Sequence, residues 1–393
     1  MNRRLRGVAA SIEHADRGLL GAVGVLLFIG SIIVFGAGSY TQQAFRSPLG
    51  EYYIILKHLF MIGVGLVAMM GLMHFDYRRY RTPWLRNGAL IATYALVAMT
   101  LLTARTDASG DTVINRWVTI AGFTFQPVEM AKLAMTIFLA ERLTCLRRGQ
   151  KMPPRQLLLA LVLGPLPLLV LLVLQPNFGN AMVTIGVTLV ILFAAGISDR
   201  WFLRAAIALP VACVLGYKFS EKVRLRVSTL IDGLQGGSYG YQVDQSLTGM
   251  GAGGLTGLGP GQSHNKFSFL PESHTDFAFS VLGEELGLIG TLLVISMLIL
   301  FAWRGYGIAA RASEPFGRAL AAGLTTAIAI YGVANIAMVT GIFPVVGVPL
   351  PFVSYGGTAM VAALASVGIL LNIEQGGRSY NQWKRRWDRG GLA

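Results

Sequence analysis

Along most of this chain the apolar positions neither alternate nor recur on one face. They run unbroken for about the length of a bilayer crossing and are then cut by short basic or Gly/Pro-rich stretches. At roughly 20 apolar residues per helical crossing, these runs predict ten spans. They lie near 19–40, 54–75, 88–104, 127–146, 157–174, 178–197, 202–219, 276–303, 318–341 and 353–373. The expected fold is an all-α polytopic membrane protein, because only a structure that satisfies its own backbone can cross lipid. It reads as one domain over 1–393, with a leading segment 1–18, a large loop 220–275 between the seventh and eighth spans, and a tail 374–393. The first run, from Leu19 to about Ala37, follows Arg3, Arg4, Arg6 and Arg17 and is too long for the core of a signal peptide, so it is expected to stay as a span. Pro165 and Pro167 in the fifth span and Pro210 in the seventh read as packing kinks.

Charge gives the runs an orientation. Segments 1–18, 76–87, 141–156, 198–204, 304–318 and 374–393 hold most of the 33 lysines and arginines, so the positive-inside rule puts them and both termini on the cytoplasmic side. Segments 41–53, 105–126, 175–177, 220–275 and 341–351 then face outward, and every unusual polar motif falls among them or at the outer ends of spans. Composition agrees: 54% hydrophobic and 13% charged residues, with a mean hydropathy of +0.58, exclude an ordinary soluble domain. The net charge of +14 punctuates apolar runs instead of covering one soluble face, so no nucleic-acid partner is expected. The basic tail with Trp383 and Trp387 suits an anionic inner leaflet, making membrane lipids a partner. Cys145 and Cys213 indicate neither a disulfide framework nor a thiolate metal site.

The stretch FSFLPESHTDFAFSVLGEE at 267–285 carries the sharpest chemistry. Asp276 stands where a Pro-broken polar segment enters an apolar run, a costly place for a carboxylate and hence a functional candidate. On an ideal helix it shares a stripe with Ser280 and Gly283, with Glu284 off that stripe and Glu285 opposite. The two glutamates then need partners such as Lys132. Lys222, Arg224, Arg226 and Lys266 in the same outer loop suit anionic headgroups, a pyrophosphate, or solvation alone. Arg116 is a further outer cation, ahead of FQPVEMAK at 125–132. There Pro127 fits the first helical turn and Glu129 and Lys132, three apart, share a face and can neutralise one another. The run GMGAGGLTGLGPG at 249–261 contains a formal G-x-G-x-x-G but no surrounding strand–helix unit, and reads as a mobile or re-entrant loop. His264 and His274 lack zinc-site spacing; a Mg²⁺ or Mn²⁺ ion arriving with a phosphate substrate stays open, and no cofactor is required. At the tenth span, Ser354 reads as an N-cap, with Tyr355, Gly356 and Gly357 beside it.

Taken together, FQPVEMAK, QPNFGNA at 175–181, YQVDQSLTGMGAGGLTGLG at 241–259, FLPESHTDFAFSVLGEELGLIG at 269–290 and GVPLPFVSYGG at 347–357 resemble the SEDS family (shape, elongation, division and sporulation), over nearly the whole chain. The resemblance implies a peptidoglycan glycosyltransferase in the bacterial cytoplasmic membrane, joining lipid II units by β-1,4 bonds on the outer face and releasing undecaprenyl pyrophosphate. It makes Asp276 the catalytic candidate and matches Glu129, Lys132 and Arg116 to polar positions of the family. Gln245, His274, Ser354 and Tyr355 lie within the shared motifs and join the basic residues as substrate-binding candidates. It further implies a class B penicillin-binding transpeptidase as partner, within an elongation or division assembly. The small residues Gly287, Gly290, Ala321, Ala322 and Gly323 offer a docking face or internal packing. Two positions depart from the pattern: Val128 replaces a usual serine, and Asn177 replaces an aspartate, removing acid chemistry from that turn. PVVGVPLPFVSYGG and AARASEPFGR favour the elongation branch, while LGPGQSHNKFSFLPE is closer to division or sporulation members. A flippase or secondary transporter, or a non-enzymatic scaffold, would be the rival readings; clustering of polar motifs at the outer end instead of the midplane speaks against transport.

Overall fold

A computed structural model describes residues 16–38, 49–102, 105–106, 112–113, 116–120, 123–144, 152–197, 218, 221–265 and 270–390. The helices are α1 (Arg17–Gly38), α2 (Tyr52–His74), α3 (Pro83–Leu102), α4 (Pro127–Thr144), α5 (Pro154–Leu163), α6 (Pro165–Leu174), α7 (Phe178–Ala194), α8 (Glu221–Leu234), α9 (Tyr241–Gly253), α10 (Ala278–Arg311), α11 (Pro315–Val339) and α12 (Gly357–Gly390). Ten of them fall on predicted spans, with α5 and α6 sharing the fifth; α8 and α9 lie instead in the predicted loop 220–275, and the seventh span, 202–219, lies outside the described residues save Lys218. With α5 and α6 taken together, seven are long and apolar enough to cross a membrane, and the shorter α7 is apolar too. Two small antiparallel hairpins, Val118–Ile120 with Phe123–Phe125 and Arg105–Thr106 with Thr112–Val113, decorate the segment before α4.

The bundle is built around α11, which packs against α4, α7, α10 and α12, while α12 lies along α2 and α10 lies against α1 and α9. Large apolar side chains outside this core stay exposed, among them Phe28, Val67, Ile91, Phe193, Trp303 and Val333. In water that would be an aggregation liability; in a bilayer these are lipid-facing positions. At the ends assigned to the cytoplasm, Glu314 pairs with Arg78 at 2.8 Å and Arg81 at 3.4 Å.

The fifth span is broken beside Pro165 as expected, Pro210 lies outside the described residues, and a further break falls at a glycine; each observed break is re-satisfied. Gly164 separates α5 from α6, and its carbonyl accepts a 2.7 Å bond from the Tyr94 hydroxyl. The larger break is inside α10. Gly287 takes φ +64° and ψ −163°, a conformation open essentially to glycine alone. The glycine-rich segment after α9 lodges against it: Leu258 and Gly259 donate to the carbonyls of Glu284 and Glu285, and Leu288 and Ile289 donate to those of Gly254 and Leu255, at 2.9–3.2 Å. Residues 249–253 belong to α9 and the rest form a re-entrant seat for α10, with no nucleotide-type strand beside them. A Cβ at Gly287 would collide with the backbone of Leu255 and Gly257. Gly287→Val is therefore expected to cost at least the ~1–3 kcal/mol of a strained backbone, read as a lowered Tm and reduced folded yield of the purified protein. A variant with wild-type Tm would show that the break is dispensable.

Several sequence expectations are corrected. Asp276 precedes α10, so the helical stripe with Ser280 and Gly283 does not apply to it. Glu284 and Glu285 are buried, but their partners come from the loop and not from Lys132. Glu284 accepts from the Ser263 hydroxyl at 2.5 Å and the His264 N–H at 2.7 Å, and the Ser263 N–H approaches Glu285 Oε1 at 3.4 Å. A carboxylate in an apolar wall is thus held by donors on a segment folded back onto it. Ser354 is not a helix cap: α12 starts at Gly357, and the Ser354 hydroxyl accepts from Leu350 N–H at 2.9 Å, closing the PLPFVS turn. The tail after Glu374 continues α12 as helix to Gly390. Gly287, Gly290, Ala321, Ala322 and Gly323 are all buried within the bundle, which agrees with the internal-packing reading of these small residues and not with the docking one.

Candidate active site

Asp276 sits, partly buried, in the last turn before α10. The fold carries two cations toward it from distant parts of the chain. Arg116, ahead of α4, is anchored on the 175–177 turn: its Nε donates to the Gln175 carbonyl at 3.2 Å and an Nη donates to that of Pro176 at 2.7 Å. Arg226, on α8, is partly buried and lies within electrostatic reach of both Asp276 and Arg116. Among the described residues no cation approaches Asp276 to ion-pair distance, so these charges act across a gap instead of closing it.

The electrostatics of the gap follow. Burial pushes the Asp276 carboxyl up to about 6; Glu272 pushes the same way, and Arg116 and Arg226 oppose them. Burial also lowers Arg116, with Arg226 adding repulsion and Asp276 opposing. Burial lowers His274 and so favours its neutral form, against the opposing pull of Glu272. Its ring faces Tyr355 with centroids 5.8 Å apart, and Tyr355 N–H donates to the His274 carbonyl at 2.9 Å. On the far side Tyr355 meets the ring of His58 from α2 at 6.2 Å. The result is a carboxyl raised to about 6 within electrostatic reach of two arginines, two residues along the chain from the His274–Tyr355 ring contact.

A second polar group lies deeper. Lys132 Nζ donates to Glu129 Oε1 at 3.0 Å and to Asn180 Oδ1 at 2.6 Å and also contacts the Tyr331 hydroxyl, which itself bonds Glu129 at 2.8 Å. Asn180 Nδ2 continues to Asn177 Oδ1 at 3.0 Å. All five residues are buried. Glu129, Lys132 and Tyr331 line one side of a partly open cavity, whose other side is the 349–356 turn, Ser354 included, and α12. The i, i+3 pair read from the sequence is therefore present and also lines a cavity.

The remaining candidates divide. Arg224 is exposed on α8, and Gln245 sits half-buried on α9 with its carbonyl taking the Asn265 amide at 3.2 Å. The Lys222 side chain and Lys266 lie outside the described residues. Sequence reading missed Tyr331, Asn180 and Asn335, each a polar residue at membrane depth. That depth was the available signal, since such groups persist in lipid only with partners. Among the described residues no three His, Cys, Asp or Glu side chains converge as a metal site.

Comparison with known proteins places this geometry in context. The family model FtsW/RodA/SpoVE, described as cell cycle protein, matches residues 17–379. A probable peptidoglycan glycosyltransferase FtsW of Geobacter metallireducens is 33% identical over 95% of this chain and 98% of its own length. Stage V sporulation protein E of Bacillus subtilis is 34% identical over 89% of this chain and 94% of its own. The peptidoglycan glycosyltransferase MrdB of Escherichia coli K12 is 34% identical over 92% and 93%. Among solved structures, a chain from a peptidoglycan synthase complex that coordinates polymerization and crosslinking superposes with a TM-score of 0.72 at 24% identity, covering 93% of this chain and 98% of that one. The rod shape determining protein RodA of Thermus thermophilus, as a mutant, gives 0.65 at 25% identity over 92% and 98%. With the family model spanning nearly its whole length and relatives matched end to end, the chain belongs to the FtsW/RodA/SpoVE, or SEDS, family of multi-pass membrane proteins.

Proposed function

We propose that this glycosyltransferase polymerises lipid II into glycan strands at the outer face of the bacterial cytoplasmic membrane, with Asp276 as general base. A sugar hydroxyl of the acceptor attacks the anomeric carbon of the donor; the new C–O bond forms as the bond to the pyrophosphate oxygen breaks; the hydroxyl proton passes to Asp276; and undecaprenyl pyrophosphate leaves. A pyrophosphate needs no proton to depart, so one carboxylate suffices where glycoside hydrolysis uses two. The departing charge needs cations instead, and Arg116 and Arg226 are the nearest supply. The observation that carries the reading is the carboxylate raised to about 6 and flanked by those arginines. His274 and Tyr355 are proposed to line the sugar site, and Glu129, Lys132 and Ser354 the cavity beneath it. Lys222, Arg224, Gln245 and Lys266 complete the proposed binding surface. No cofactor is required by this reading, and a Mg²⁺ or Mn²⁺ ion brought in with the pyrophosphate would need few protein ligands.

Relatives named FtsW, stage V sporulation protein E and MrdB match at 33–34% identity, so the proposal concerns the chemistry they share, with the elongation role resting on sequence motifs alone. A transpeptidase partner is proposed on the likeness to the synthase-complex chain. The test is incubation of the purified protein with lipid II: glycan strands are expected, and transbilayer movement of lipid II without polymer would overturn the reading. The pH dependence has a definite sign. A base works ionised, so the rate should fall as pH drops through about 6. Arg226 holds that value down, so Arg226→Gln should move the acid limb to higher pH, and an unmoved limb would remove Arg226 from the site.

A further inference from the structure

Asn335 lies on α11, fully buried, one turn beyond Tyr331. Its amide nitrogen donates to two backbone carbonyls, those of Asp276 and Val348, each 2.7 Å away. The helical ladder of α10 begins at the Phe277 carbonyl, which accepts from Ser280 and Val281, so the Asp276 carbonyl stands outside that ladder. Val348 follows Gly347, which has φ +66° and comes so near the carboxylate that a Cβ there would lie 3.2 Å from Asp276 Oδ2. Two loops far apart in sequence thus meet at one carboxylate, and one amide ties their backbones together. Only a side chain with two N–H groups on one nitrogen can make both bonds. An apolar isostere would leave two carbonyls buried without that donor.

We propose that Asn335 is a positioning residue for the glycosyl transfer: it locks the Asp276 segment to the Gly347–Val348 turn and so fixes where the carboxylate stands relative to Arg116 and Arg226. This rests on the reading of Asp276 as the base. The bonds run to the backbone of Asp276 and not to its carboxylate, so Asn335 sets position without touching substrate. A displacement of about 1 Å at such a group costs as much as 10²-fold in rate.

The test is steady-state polymerisation of lipid II by the full-length purified protein, with Tm measured on the same samples. Asn335→Ala is expected to lower kcat roughly 10–100-fold with KM for lipid II little changed. The acid limb should also move below its wild-type position. Among the described residues the charged groups acting on Asp276 are Glu272, Arg116 and Arg226, but burial is the largest influence raising its carboxyl, and a loosened segment admits water. Asn335→Ser, which keeps one donor, should recover part of kcat and of the limb; if the alanine variant does not fold, the serine variant carries the same comparison with wild type. Wild-type kcat and pH profile in a folded variant would overturn the proposal. So would a loss explained wholly by a smaller folded fraction with an unmoved acid limb. Asp276→Asn run alongside separates the two readings: activity in that variant removes the base and Asn335's role with it, whereas an inactive Asp276→Asn beside an unaltered Asn335→Ala removes only the role of Asn335.

Discussion

Asp276→Asn should leave a folded membrane protein that makes no detectable glycan strands from lipid II. The amide keeps the shape of the carboxylate but cannot take the acceptor's proton, and general-base catalysis of this kind contributes roughly 10²–10⁴-fold. Folding should survive for a reason that follows from linkage. The carboxyl is raised from 3.8 to about 6 in the folded protein, so the native state holds its proton more tightly than the unfolded chain does. Its contribution to stability therefore falls as pH rises from about 4 to about 6, and above that the ionised carboxylate is a burden. Asparagine carries no such burden, so Tm above pH 6 should match or exceed that of the wild type. Polymer at near wild-type rate would sink the assignment of Asp276; collapse of Tm would show that the carboxylate is structural.

Breaking the Glu129–Lys132 pair should cost far more stability than any single change at the outer surface. Both charges are buried in a network with Tyr331 and Asn180, with the ion pair at 3.0 Å. Removing one partner of such a pair strands the other in a low-dielectric wall, typically at about 3–5 kcal/mol. Lys132→Met alone is expected to give a sharp fall in Tm and folded yield, and the double variant Glu129→Gln with Lys132→Met to regain much of it, because a neutral pair needs no counter-charge. Near-wild-type Tm in the single variant would mean that water reaches the pair through the cavity. A stable but inactive double variant would assign the cluster a contact with substrate beyond its structural work.

The spans were legible because a bilayer enforces long apolar runs, and the i, i+3 pair was legible because helix geometry is local. What the sequence hid was non-local. Asp276 was found as a misplaced carboxylate, yet its Asn335 clamp joins positions 59 residues apart. Glu284 looked like an acid in need of a cation, and its donors come instead from Ser263 and His264 on a folded-back loop that local periodicity cannot foresee. Ser354 had the residue type of a cap, but two more turn residues intervene before α12, and its hydroxyl serves the Leu350 N–H. Arg116 and Arg226 were two outer cations among several, and nothing in their spacing said that they, and not Arg224, turn toward the carboxylate.

The break at Gly287 also divides the labour of α10 between two lengths. From Leu288 to Arg311 the helix is about 36 Å long at 1.5 Å per residue, enough to span a hydrocarbon core of about 30 Å unaided. The shorter piece from Ala278, with Asp276 at its head, is free of spanning duty and is moored to the glycine loop and α11. Thickening or thinning of the bilayer can therefore be taken up by tilt of the longer length, leaving the depth of the carboxylate unchanged.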